Sequence, residues 1–322
     1  MHRSLFTRIF PPPKLLTFNY AGLDINDDGI YCLRYKDGLK GLHIDSNIAY
    51  RFDERLIEGG DISKKEVLIK NLKDIQHKMN LNYVRVSVPE EKSYLFMTDV
   101  PNLDNKSIRQ NIESKIEENV PISAADALFY HEIIPRQPNH STIKVSVSVV
   151  PRNYIENYIS IIEEAGMSPI AFEVAPRAIA KAIFDENEKK TSMIVHSMKD
   201  KIGLYIAVNG VVCFASTSQY SQFVETDLKN QNKIQFIKNE INRIYSYWQS
   251  HGIGTKIIDE ILVVGESALQ IEEYIHEPVD GQKIPLLCPM VWKNAIGDQS
   301  YVPPISREDS MNYAVASGLA IH

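Results

Sequence analysis

Apolar positions along this chain recur with two periods, and the change from one to the other marks the elements. Alternation with period two predicts half-buried strands, and spacings of three and four predict helices. Residues 20–35 read as strand, tight turn, strand; Asp37-Gly38 is a hairpin dipeptide, and a third strand runs from Gly41 to Phe52. Leu68, Leu72, Ile75 and Met79 then put one apolar stripe on a helix over about 62–79. Tyr83–Val88 is a strand closed by Pro89. The first block is therefore β-hairpin, β, α, β.

Residues 94–172 read as a separate module. Asp104 can cap a helix carrying Ile108, Ile112, Ile116 and Val120, which Pro121 ends. Phe129–Ile134 and Ile143–Val150 are strands, and a helix runs from Pro151 through Tyr154, Tyr158, Ile161 and Ile162 to Gly166. A helix from Glu173 to Phe184 leads into the charged, non-periodic stretch 185–190, the best domain boundary in the chain. Ser192 to Ser218 repeats the strand–turn–strand–turn–strand layout. A long helix over about 222–250, a strand over Glu260–Val264 and a short helix near 268–276 follow. Residues 277–306 read as irregular with one or two short strands, and a last helix spans about Asp309 to Ala320.

The chain has 322 residues, 44% of them hydrophobic, and a formal net charge of −6. That is enough chain for about two cores, and the composition argues against disorder. No apolar run approaches the roughly 20 residues of a spanning helix. The acidic balance argues against nucleic acid as a partner. Cys32, Cys213 and Cys288 are odd in number and far apart, which suits a reducing, cytoplasmic compartment. His131, His140, His251 and His276 form no metal-ligand spacing, and there is no GxSxG motif. Tyr245, Tyr247 and Trp248 read as core plus surface of one helix. The N-terminus, Met1 to Phe10, is basic and partly apolar and is stopped by Pro11, Pro12 and Pro13; it reads as a basic tail, with peripheral membrane contact as the sharper reading.

An internal repeat ties the blocks together. With Asp24 set on His196, Ile30 falls on Ile202, Leu33 on Tyr205 and Asp37-Gly38 on Asn209-Gly210. Two such units facing one another would enclose a cleft, with the turn after the first strand of each half pointing into it. Backbone N–H groups in such turns can cradle phosphates.

This layout resembles the actin-like ATPase superfamily, and more narrowly the PilM-type proteins of type IV pilus assembly, relatives of FtsA. The matching segments are Gly22–Ile25, Val88-Pro89-Glu90 followed by Asp99–Asp104, Glu113–Ile122, Val150 through Ile170, and Tyr313–Ala320. The resemblance implies a duplicated α/β fold of the actin-like (ribonuclease H-like) kind, two subdomains around a cleft with an α+β module inserted in the first half. The expected division is a basic, proline-rich tail (1–19), a first half (20–93), the module (94–172), a connecting helix and linker (173–190), a second half (191–308) and a terminal helix returning to the first half (309–322).

The resemblance also assigns a nucleotide site: Asp24, Asn26, Asp27 and Asp28 in the first turn, His196, Ser197, Lys199 and Lys201 in the second, and Gly265, Glu266 and Ser267 at the adenosine turn, with Asp24 the candidate for Mg²⁺. All three elements depart from the family pattern. Asn26 replaces a glycine, His196 an aspartate, and Glu266 the second of two glycines. Histidine is a poor ligand for Mg²⁺, and Asp27 and Asp28 would repel phosphate. ATP and Mg²⁺ are thus conceivable ligands, with binding expected to be weak or absent and no catalytic residue assigned.

The function implied is a cytoplasmic adaptor, peripheral to the inner membrane, of pilus or type II secretion-like assembly. Its partner would be the cytoplasmic tail of a PilN-type inner-membrane protein, bound near the module, with other inner-membrane components of the machinery as further partners. An FtsA-like division protein is the alternative, although the C-terminal amphipathic anchor of that family is not found here. An actin-fold small-molecule kinase is the other, and it would need intact phosphate turns.

Overall fold

Strand β1 (Tyr20–Asn26) is buried from Tyr20 through Ile25, as expected of a strand covered on both faces. The computed structural model describes residues 19–38, 41–52, 56–135, 141–185, 187–220, 229–253, 257–297 and 300–321. The expected basic tail, His140 and the first residues expected for the long helix (222–228) lie outside them. β2 (Gly29–Gly38) and β3 (Gly41–Arg51) continue β1 as an antiparallel meander. A short hairpin, β4 (Ile57–Glu58) and β5 (Asp61–Ile62), precedes helix α1 (Lys65–Met79), which buries Leu68, Leu72, Ile75 and Met79. Asn80 stops α1 in the left-handed conformation. β6 (Tyr83–Val88) then pairs parallel to β1.

The expected hairpin turn is not at Asp37-Gly38. These residues pair with Leu42 and Gly41, so β2 runs to Gly38; residues 39–40 lie outside the described ones.

The module comprises β7 (Tyr94–Pro101), helices α2 (Asn105–Glu113) and α3 (Ile116–Asn119), β8 (Ala127–Ile133) and β9 (Thr142–Pro151). Its antiparallel sheet has the order β7-β9-β8. Val145, Val147 and Val149 on one face of β9 pack with Ile108, Ile112 and Ile116 of the helices. From the other face Ser146 Oγ donates to the Val212 carbonyl of the second half at 2.5 Å.

Packing divides the expected 94–172 module. Helix α4 (Arg152–Glu164) buries Tyr154, Tyr158, Ile161 and Ile162 against the first half's core, and β10 (Ser168–Val174) pairs parallel to β6. Residues 152–174 thus join the first half. The sequence pattern did not show β7 or β10 as strands: most of their side chains are only half-buried, so neither alternates cleanly.

Helix α5 (Ala175–Ile183) leads to the second half. There β11 (Thr191–Ser197), β12 (Lys201–Val208) and β13 (Val211–Gln219) form the second meander, followed by α6 (Lys229–His251), β14 (Glu260–Gly265), α7 (Ala268–Tyr274) and β15 (Leu286–Leu287). Here the expected turn is correct: Asn209 and Gly210 connect β12 to β13 with φ of 52° and 80°. Helices α8 (Arg307–Ser310) and α9 (Ala314–Ala320) end the described chain.

The two main sheets have the same topology. One runs β10-β6-β1-β2-β3, the other β15-β14-β11-β12-β13. Asp24 pairs with Tyr31 and His196 with Gly203, the same ladder rung in both halves. Between the sheets lie α5 and α9. Gly22 admits α9, since a Cβ there would lie 2.0 Å from Ala316 O, and Gly318 admits α5, since a Cβ would lie 1.7 Å from Ala178 O. Period two on β2 sends Tyr31, Leu33 and Tyr35 into the core shared with the second half and Ile30 and Cys32 into the first half's own core.

Candidate functional site

β1 and β11 both end at the interface between the halves, and their turns meet there. Asn26 builds the first turn: its Oδ1 accepts from Asp28 N at 2.9 Å and Gly29 N at 3.1 Å, and its Nδ2 donates to Asp24 Oδ2 at 2.9 Å. In the second turn Lys199 N donates to Asp28 Oδ2 at 2.8 Å across the cleft. At the third turn Glu266 N donates to Ser197 O at 2.8 Å. These amides, which could otherwise cradle a phosphate, are therefore bonded within the protein.

Side chains fill the space between the turns. Lys201, at the start of β12, is 4% exposed; its ammonium donates to Asp27 Oδ2 at 3.0 Å and to Glu91. Burial alone would lower the Lys201 pKa, but Glu91, Glu90 and Asp27 raise it above the ordinary lysine value. Tyr205, fully buried on β12, donates its hydroxyl to Glu90. It lies across Gly203, where a Cβ would meet the hydroxyl at 2.0 Å. His196 Nδ1 stands 3.6 Å from Glu90 Oε1 and 3.4 Å from Tyr205 Oη. Burial would raise the Glu90 carboxyl, but the hydrogen bond and charge of His196, with the charge of Lys201, hold it below the ordinary value.

Asp24 is 3% exposed. Burial pushes its carboxyl up to about 6, against the opposing effects of Ser87, His196 and Asn26. Asp28 is also raised, chiefly by burial, with Lys199 N–H opposing and Glu266 adding to the shift. Gly265, at φ 90°, serves contact with the second turn: a Cβ there would lie 2.1 Å from Ser197 O. Ser267 starts α7 at φ 58° without a capping side-chain bond.

The structure thus brings Asp24, Asn26, Asp27, Asp28, His196, Ser197, Lys199, Lys201, Gly265 and Glu266 to one place. Glu90, Glu91 and Tyr205 were not among the expected site residues. Glu90 and Glu91 follow β6 after Pro89; β6 is parallel to β1, and side chains after parallel strands gather at one edge of a sheet. That was the available signal. The arrangement is a poor fit to a nucleoside triphosphate: its amides are engaged, its centre holds Lys201, and carboxylates surround it. Among the described residues no three His, Cys, Asp or Glu side chains are arranged to hold a metal ion.

A second feature is a groove between β8 and β10, both edge strands of their sheets. Its volume is about 500 Å³, and its walls include Val88, Val150, Ile155 and Phe172. Arg85, Arg177 and Lys181 also line it. Arg85 Nη1 and Lys181 Nζ both donate to Ile321 O, at 3.0 and 2.8 Å. Arg177 lies 4.1 Å from the ring centre of Tyr130, a side chain 52% exposed.

No family model matches the sequence, and no curated protein matches it either. Solved structures do. A chain of the PilM-PilN type IV pilus biogenesis complex aligns over 94% of this chain and 97% of its own length, with a TM-score of 0.74 and 12% identity. The cytoplasmic domain of EpsL, an inner-membrane component of the type II secretion system of Vibrio cholerae, aligns over 92% and 93% with a TM-score of 0.50 and 8% identity. The chain has the actin-like ATPase fold.

Proposed function

We propose that this chain is a PilM-like adaptor of type IV pilus or type II secretion-like assembly, on the cytoplasmic side of the inner membrane. In this reading it receives the extended cytoplasmic tail of a PilN-type membrane protein, and its nucleotide cleft is degraded. The observation that carries the proposal is the groove between β8 and β10 on a fold aligned over 94% of this chain with a chain of the PilM-PilN complex. Two edge strands offer main-chain donors and acceptors to an extended peptide, and the apolar walls offer side-chain pockets. Among the described residues no helix is long and apolar enough to cross a membrane, so attachment would come through such a partner.

The test is fluorescence anisotropy with labelled synthetic peptides copying the cytoplasmic tails of single-span envelope proteins from the same cell. The expected result is saturable micromolar binding of one tail, weakened at least tenfold by Phe172→Asp. Absence of binding by every tail, or equal binding by the variant, overturns the groove reading. In a separate calorimetric titration, Mg-ATP is expected to give no binding heat at micromolar concentrations. A clear micromolar isotherm would overturn the degraded-cleft reading.

A further inference from the structure

The contacts across the cleft form a set. Asp27, Asp28, Glu90 and Glu91 come from the first half; Lys199 N, Lys201, His196 and Tyr205 come from the second. Asp27 Oδ1 and Glu91 Oε2 are buried and lack a hydrogen-bond partner. Lys201 is the cation paired with both carboxylates. An ammonium held among carboxylates is worth most where water is excluded, and its removal leaves buried like charges that repel.

We propose that Lys201 is a built-in cation that latches the two halves together, so that the closed state of this cleft is set by the chain's own sequence and needs no bound ligand. This deepens the degraded-cleft reading and rests on it; it does not depend on which tail the groove takes. The first half supplies the acids and the second half the cation, so neither half neutralises its own turn. The other cross-cleft bonds, Asp28 to Lys199 N and Glu90 to Tyr205, depend on the same approach of the turns and should loosen with it.

The test is hydrogen exchange on the full chain, comparing wild type with Lys201→Met, Lys201→Arg and the double variant Lys201→Met/Glu91→Gln. In Lys201→Met the amides of Asp28, Gly29 and Lys199 are expected to exchange at least tenfold faster, while those in the middle of β1 and β11 keep their protection. Lys201→Arg keeps the charge and should stay within threefold of wild type. The double variant removes one repelling carboxylate and should recover part of the loss. A folded Lys201→Met protein with wild-type exchange at the three amides overturns the latch. So does an arginine variant as loose as the methionine one, because packing and not charge would then be responsible. Should Lys201→Met fail to fold, Asp27→Asn and Glu91→Gln each remove one negative charge; faster turn exchange in either supports the latch, and unchanged exchange in both overturns it. Failure of tail binding in the anisotropy experiment leaves these outcomes untouched, whereas Mg-ATP binding to wild type would remove the degraded-cleft reading itself.

Discussion

Asp24 is held in an environment that disfavours its charge, and the sign of its effect on stability follows. Its folded pKa of about 6 lies above the ordinary value of 3.8. Between these values the native state binds more protons than the unfolded chain, so Asp24 contributes less to stability as pH rises through that window. The cost at neutral pH is on the order of 2–3 kcal/mol. Asp24→Asn keeps the side chain's shape and removes the charge. Its stability relative to wild type, from urea unfolding, is expected to rise between pH 4 and pH 7 and to be equal or higher at pH 7. A variant clearly less stable than wild type at pH 7 would show that the carboxylate is required by its neighbours. The position itself was legible: the repeat sets Asp24 on His196 across two apolar strands, and the turns after them do meet. Glu90 and Glu91 were missed as site residues: their place after a strand parallel to β1 was the one mark they carried, and their partners Tyr205 and Lys201 lie more than a hundred positions away.

Elements with a clean period were legible in the sequence, and those without one were not. α1 shows its stripe at Leu68, Leu72, Ile75 and Met79, and the Asp104 side chain accepts from Lys106 N and Ser107 N as an N-cap should. β10 offers no such mark; it is a strand because β6 supplies a partner edge. The approach of α9 to α5 is also a tertiary matter, since nothing local shows that Gly318 faces a backbone carbonyl. Gly318→Ala is expected to cost about 3 kcal/mol or more, because the new methyl meets Ala178 O of the neighbouring helix and neither backbone can yield cheaply. Gly281→Ala is the control for open space, since no atom lies within 4 Å of its would-be Cβ; its φ of 74° still carries backbone strain, so a smaller loss is expected there. Urea midpoints at equal m-values measure both, and equal losses would contradict the close packing of α5 and α9.

At the scale of the whole molecule, one core joins the halves. Tyr31, Leu33 and Tyr35 of the first sheet share it with α5, α9 and the second sheet. The second half therefore cannot unfold alone without exposing apolar surface of the first. The module differs: a smaller core fills it, built from α2, α3 and one face of its sheet. Segments with few buried contacts open at lower free energy than the global transition. Both tryptophans, Trp248 and Trp292, lie in the shared core, so their fluorescence reports the halves and not the module. The expected outcome is one urea transition with the same midpoint by tryptophan fluorescence and by hydrogen exchange of β1 and β11. Exchange of Ile108 and Ile112 in the module should show a lower opening free energy under native conditions. Asp104→Ala should lower that module value further and leave the fluorescence midpoint in place. Two separated fluorescence transitions would show that the halves unfold independently. A midpoint shift in Asp104→Ala equal to the change at Ile108 would show that the module is part of the same cooperative unit.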